Sequence, residues 1–184
     1  MPVARGAAGH NGFLLLFACP AWPPWYQASR GTPPLDLNEV IREVNRLMAD
    51  EVAARSVRIE TDLADDLPPI WADRVQMQQV IANLARNGIE AMESEDSDPK
   101  MLSIRSRPDG TNSVLIEIRD EGSGLEDLER VFEPFFTTKE TGMGMGLAIS
   151  RWIVEAHQGR FWATGNTPRG AVFSFTLPIA SSGS

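Results

Sequence analysis

The chain has 184 residues, a formal net charge of −8, one cysteine and two histidines. That length suffices for one domain with a real core, and the acidity disfavours a nucleic-acid partner. Cys19 alone excludes an internal disulfide and gives no thiolate metal cluster, and His10 and His157 alone exclude a histidine-rich metal site. The longest apolar run, Phe13–Cys19, is far short of the roughly 18 residues of a membrane helix, so no membrane contact and a cytoplasmic location are expected.

Residues 1–34 hold Pro2, Pro20, Pro23, Pro24, Pro33 and Pro34 and no Asp, Glu or Lys. They read as an irregular or non-native tail. Arg5 ahead of FLLLFAC leaves a secretory leader as the rival reading, which the WPPWY that follows disfavours as a cleavage region. From Leu35 the pattern becomes regular. LDLNEVIREVNRLMADEVAARS spaces Val40, Ile41, Val44, Leu47, Met48 and Val52 as a helix, with Asp36 or Asn38 as cap. VRIETDL alternates as a strand, and DDLPPIWAD reads as a Pro-marked turn. DRVQMQQVIANLARNGIEAMES opens with Asp73 and Gln76 at capping-box spacing. It then runs an apolar face through Met77, Val80, Ile81, Leu84, Gly88 and Met92. After the acidic ESEDSDPK, the segments MLSIRSR and SVLIEIRD alternate as strands. A long Gly-rich stretch follows, then the helix MGLAISRWIVEAH, then the strands GRFWATG and AVFSFTLP around NTPRG. The order predicts a two-layer α/β (α+β) sandwich: a mixed, mostly antiparallel sheet with helices on one face. Its domain is expected over 35–179, with 180–184 as a second tail.

Four places carry possible chemistry. Asn83, Asn87 and Glu90 fall at i, i+4 and i+7 on a helix face other than the apolar one. Asn is a poor mid-helix residue, so two of them ask for a reason. Either they form a solvated stripe, or a carbonyl oxygen ligates Mg²⁺ beside phosphate and water. DEGSG (Asp120–Gly124) ends a strand. It is either an ordinary turn or a buried carboxylate for an exocyclic amine, with Gly122 and Gly124 letting a base lie on backbone. Phe132, Phe135 and Phe136 in FEPFFTTK would anchor a long loop, with or without a ligand beneath it. Lys139 could reach a terminal phosphate. Gly142, Gly144 and Gly146 alternate just before a helix. They form either a hinge or a backbone approach to an anion at Gly146–Leu147, where amides and dipole favour negative charge. No GK[ST] follows and no dinucleotide spacing is present.

Together these motifs, in this order and spacing, resemble the catalytic ATP-binding domain of bacterial sensor histidine kinases. That domain belongs to the superfamily shared with gyrase, Hsp90 and mismatch-repair ATPases. The resemblance covers about Leu35 to Pro178, and the wording FEPFFTTKETGMGMGLAISRWIVEAHQGRFWA is most like the oxygen-sensing and nitrogen-regulatory kinases. It implies the Bergerat-type fold, ATP and Mg²⁺. By position, Asn87 matches the Mg²⁺ ligand, Asn83 the other asparagine of that box, and Asp120 the reader of the adenine amine. Gly122 and Gly124 match its pocket, Phe132, Phe135 and Phe136 the lid anchor, and Gly142, Gly144 and Gly146 the lid glycines. Hydrolysing relatives typically carry a glutamate where this chain has Asn83, and an amide cannot act as that base. The resemblance therefore implies γ-phosphoryl transfer to a protein histidine and then to a response regulator. A slow ATPase and a non-catalytic nucleotide-binding module are the rivals. Gly88 stands where the family usually has Ala, and Ala85 where it has a larger residue, which predicts slightly looser packing. Glu90 stands where some relatives carry a phosphate-contacting Lys, and His157 matches a structural histidine. No histidine-bearing dimerising hairpin is recognised ahead of LDLNEVIREV, so that histidine is expected on another domain or chain.

Overall fold

The computed structural model describes residues 33–93, 100–125, 127, 130–137 and 144–180. Helix α1 (Leu37–Leu47) is followed directly by the short α2 (Ala49–Ala54). Asp36 caps α1, its Oδ1 accepting from the amides of Asn38 (2.8 Å) and Glu39 (3.3 Å). That satisfies two first-turn donors that the helix itself leaves open. Asn38 has a different task. It is buried, its Nδ2 donates to the Ala64 carbonyl (2.8 Å), and its Oδ1 accepts from the Ser106 hydroxyl (2.6 Å). The single helix predicted over 35–56 is thus two, jointed at Met48. The local residues are good helix formers, so the joint follows tertiary demand: Met48 is buried while Leu47 beside it is 77% exposed.

Strands β1 (Val57–Leu63), β2 (Lys100–Asp109), β3 (Ser113–Arg119), β4 (Arg160–Gly165) and β5 (Ala171–Pro178) form one sheet in the order β1-β2-β3-β5-β4. β1 and β2 are parallel, joined through helix α3 (Arg74–Ala91); every other neighbouring pair is antiparallel. A parallel pair needs such a crossover, whereas the others close through hairpins or longer returns. Alternation puts Leu102, Ile104, Val114, Ile116, Ile118, Phe173, Phe175 and Leu177 in the core. The register sets Ile104 opposite Ile118 and Ile116 opposite Phe175. Helices α1, α3 and α4 (Gly146–Ala156) supply the facing layer with Val40, Ile41, Val44, Met77, Ile81, Leu84, Ile153 and Val154. The mixed, mostly antiparallel two-layer sandwich is as expected.

Two connections carry more structure than their sequences suggest. The Pro68–Pro69 turn presents a fully buried Ile70, which exchanges backbone hydrogen bonds with Leu35 and bridges Ile179. The predicted capping box is half built. Asp73 Oδ1 accepts from the Gln76 amide (2.8 Å), but the Asp73 amide donates to Nε2 of His157 (3.2 Å). Nδ1 of His157 in turn donates to the Ile153 carbonyl (2.8 Å). Burial holds this imidazole below its usual pKa, and the two bonds fix the neutral tautomer. His157 therefore ties the end of α4 to the start of α3, the structural role the sequence implied.

Candidate functional site

Asp120 follows the last residue of β3 and is 2% exposed. Its amide donates to the Ala171 carbonyl (3.0 Å), continuing the sheet by one bond. Its Oδ1 accepts from the amides of Gly122 (2.9 Å) and Ala171 (3.2 Å). Oδ2 has no hydrogen-bond partner among the described residues and faces the Gly88 side of α3. Burial pushes the carboxyl pKa up, with the two amides pulling the other way. A carboxylate with one oxygen fixed and the other open suits a single external donor.

The glycines around it permit backbone contact. A Cβ on Gly122 would come within 2.5 Å of the Ala91 carbonyl oxygen, at the end of α3, and the Ser123 amide donates to that same oxygen (3.2 Å). Gly124 has φ 83° and packs on Gly170. Gly88 does not loosen the packing as expected. A Cβ there would lie 2.6 Å from Leu102 Cδ1 and 3.2 Å from Asp120 Cβ, so the missing methyl lets α3 sit directly on the Asp120 corner. Asn166 Nδ2 donates to the Asp120 carbonyl (2.8 Å), and Gly170 leaves no room for a side chain there. The β4–β5 turn is therefore a support that sequence reasoning missed. Its only signal was the Asn and Gly of NTPRG, which also fit an ordinary hairpin.

On α3, one turn apart, Asn83 and Asn87 are half-buried. Asn83 Nδ2 donates to the Ser150 hydroxyl (2.9 Å), and its Oδ1 lies against Gly146 at the opening of α4. The Asn87 side chain makes no hydrogen bond among the described residues, leaving its Oδ1 open. Asn87 directly precedes Gly88, which packs on Asp120, and lies one turn after Asn83, which packs on Gly146. Leu147 packs on the core, which holds the first turn of α4 in place. An open amide oxygen, an open carboxylate oxygen and a helix N-terminus fit a hard cation, an amine and an anion respectively.

The aromatics divide their work. Phe132, in a 3₁₀ turn (Arg130–Phe132), meets Phe161 edge-on at 5.3 Å, with the Arg151 guanidinium 5.4 Å from its ring centre. Phe136 lies 4.7 Å from the Arg130 guanidinium. Phe135 is 75% exposed, at φ 67°, and its side chain packs into no core among the described residues. Its amide donates to the Gly144 carbonyl (2.9 Å), and Gly144, at φ 64°, packs on the Phe135–Phe136 backbone. This contact joins Phe135 to Gly144; Lys139 and Gly142 lie outside the described residues. A separate open groove of about 430 Å³, lined by Glu43, Arg46, Leu47, Arg74 and Gln78, belongs to the α1–α3 surface and shares no residue with this site. Among the described residues no helix is long and apolar enough to cross a membrane.

Comparison with known proteins agrees with this geometry. "Sensor protein FixL" of Bradyrhizobium diazoefficiens is 42% identical over 146 residues, 78% of this chain and 28% of that protein. "Sensor protein TdiS" of Thauera aromatica is 37% identical, over 79% of this chain and 27% of that protein. The chain thus spans about a quarter of the length of the curated relatives it matches. The crystallised catalytic domain of histidine kinase ThkA superposes with a TM-score of 0.70 at 32% identity, covering 80% of this chain and 95% of that one. ThkA in complex with the response regulator protein TrrA aligns at 0.67 and 29%, covering 80% and 42%. Residues 72–181 match the model of the histidine kinase-, DNA gyrase B- and HSP90-like ATPases. The chain belongs to that family of ATPases, on the branch of the sensor histidine kinases.

Proposed function

We propose that residues 35–179 bind Mg-ATP and direct its γ-phosphoryl to a histidine on a separate dimerisation domain, in the same longer protein or in another chain. A response-regulator aspartate then receives it, as the ThkA–TrrA complex suggests by analogy. ATP dependence assigns the reaction to the cytoplasm. The observation that carries this reading is Asp120, a buried carboxyl with Oδ1 held by two amides and Oδ2 open.

In this reading Oδ2 of Asp120 accepts from the adenine amine, and Gly88, Gly122 and Gly124 keep side chains off the base. The first turn of α4, opened by Gly146 and Leu147, offers its amides to the phosphates. These local dipoles matter because the chain's net charge of −8 opposes an anion. Asn87 holds Mg²⁺ through its carbonyl oxygen, with Asn83 beside it. Bound there, the ion offsets phosphate charge. Lys139 adds a cation, while Gly142, Gly144 and the Phe132, Phe135 and Phe136 segment cover the nucleotide. Asn83 cannot take a proton from water, so hydrolysis stays slow and the phosphoryl is kept for the histidine. In transfer, an imidazole nitrogen forms a bond to the γ-phosphorus. The bond from that phosphorus to the bridging oxygen breaks, ADP leaves with the electron pair, and the ring proton passes to solvent.

The test is a calorimetric titration with Mg-ATP, followed by incubation with γ-labelled ATP and a histidine-bearing hairpin domain from a relative. Binding and an acid-labile label on the hairpin are expected. Binding without label on any hairpin would reduce the chain to a nucleotide-binding module, and no binding would defeat the reading.

A further inference from the structure

We infer that Ser150 is a positioning residue for Asn83, holding that amide in place while the α4 amides set which end faces the nucleotide; this rests on the reading of the site given above. Ser150 is 1% exposed, in the seam between α3 and α4. A hydroxyl buried there is costly unless paired. It is paired with one group of the site, the Asn83 amide, whose Nδ2 donates to Ser150 Oγ at 2.9 Å.

The other end of the same amide is gripped as well. A Cβ on Gly146 would overlap Asn83 Oδ1 and lie 3.0 Å from Nδ2 and 3.1 Å from Cγ. Gly146 and Ser150 are four residues apart, so they stack on one face of α4. The helix thus offers a hydroxyl to the nitrogen and a bare Cα to the oxygen. Turning the amide round would press its NH₂ against the opening of α4. The amides there are donors without partners inside the helix, so donor would face donor. The acceptor end therefore belongs at the α4 opening, and the Ser150 hydroxyl, which could serve either end, accepts from the NH₂ and holds the amide there. Asn83 consequently presents a carbonyl oxygen to the phosphate side of the site. Such an oxygen can receive a bond from metal-bound water or a cationic side chain, and repels bare phosphate oxygens.

Ser150→Ala and Ser150→Thr test this. The Asn83 side-chain amide signals are followed by ¹⁵N NMR in the nucleotide-free chain, assigned with Asn83→Gln. Affinities are measured for Mg-ATP and for Mg-free ADP. In Ser150→Ala the two amide protons should shift and exchange faster. Mg-ATP affinity should fall about 2- to 13-fold, the worth of one neutral hydrogen bond. Mg-free ADP, held at the Asp120 corner, should bind within twofold of the parent. Ser150→Thr, which keeps a hydroxyl, should recover both readouts. Unchanged amide signals in Ser150→Ala would overturn the proposal. So would an equal loss for Mg-ATP and Mg-free ADP, which marks general loosening. If the parent binds neither nucleotide, the nucleotide reading falls, and the amide signals alone decide the positioning role.

Discussion

Asp120→Asn separates the cost of the site from its use. Oδ1 accepts from the amides of Gly122 (2.9 Å) and Ala171 (3.2 Å). In the variant the carbonyl oxygen must take that place, because an NH₂ there would oppose two N–H donors. The new NH₂ therefore takes the place of Oδ2. An acceptor for the adenine amine becomes a donor pointing at a donor. Losing a hydrogen bond to a charged group removes about 1.5–3 kcal/mol, or about 10- to 150-fold in affinity, and the opposed donors push the loss toward the upper end. Stability should move the other way. Burial raises the pKa of Asp120 above its usual value despite the two amides. The native state therefore holds its proton more readily than the unfolded chain, and the ionised form opposes folding. That penalty is complete above the folded pKa and vanishes as pH falls below the unfolded value of about 3.9. Asn carries no such penalty. At pH 7.5 Asp120→Asn should melt above the parent in scanning calorimetry, with the gap closing as pH falls, while calorimetric titration shows Mg-ATP binding nearly lost. A variant that binds within threefold of the parent, or melts below it at pH 7.5, would refute the reasoning.

His157 gives the opposite pH signature. Its folded pKa is depressed by burial, so stability is flat above about pH 6.5 and declines below it as the unfolded chain takes up the proton. Urea denaturation at pH 7.5 and 5.5 should show His157→Ala about 2–4 kcal/mol weaker at the higher pH, with a smaller drop between the two. Asn38→Ala removes the acceptor of the Ser106 hydroxyl proton and the side-chain donor to the Ala64 carbonyl, leaving Ser106 Oγ only the Ala64 amide. It should cost about 2–4 kcal/mol in the same assay, and adding Ser106→Ala should cost less than the sum of the single changes. Gly144→Ala places a Cβ 2.6 Å from the Phe135 carbonyl carbon at φ 64°. The left-handed conformation alone costs about 1–2 kcal/mol, so the Phe135 amide should exchange with deuterium about tenfold faster or more, with little change in the global melting temperature.

The strand pattern was legible because five segments alternate with period two and one face of the sheet is buried. VRIETDL and AVFSFTLP end where the structure ends them. The break at Met48 was not legible, because it answers packing and not propensity. Nor was the Ile70 bridge, because prolines announce a turn without saying what the next side chain reaches. The same division runs through the site. Asn83 and Asn87 were visible as residue types that a mid-helix setting does not explain, whereas Asp120 alone also fits an ordinary turn and stood out only through the combined motifs. What holds Asp120 was not, because the Gly122 and Ala171 amides are backbone groups that nearly every residue carries. Ser150 and His157 fall between these cases. Each is a buried polar residue, Ser150 on α4 and His157 at its C-terminal cap, but its partner, Asn83 on α3 or the N-cap Asp73, lies 67 or 84 residues away. Asn83, Asn87 and Gly88 all weaken a helix, and they crowd into two turns of α3. Those turns are where that helix meets Gly146, Ser150 and Asp120. Local propensity is given up where the helix must present amides and let another backbone approach, which is why a conflict in the sequence points to the site.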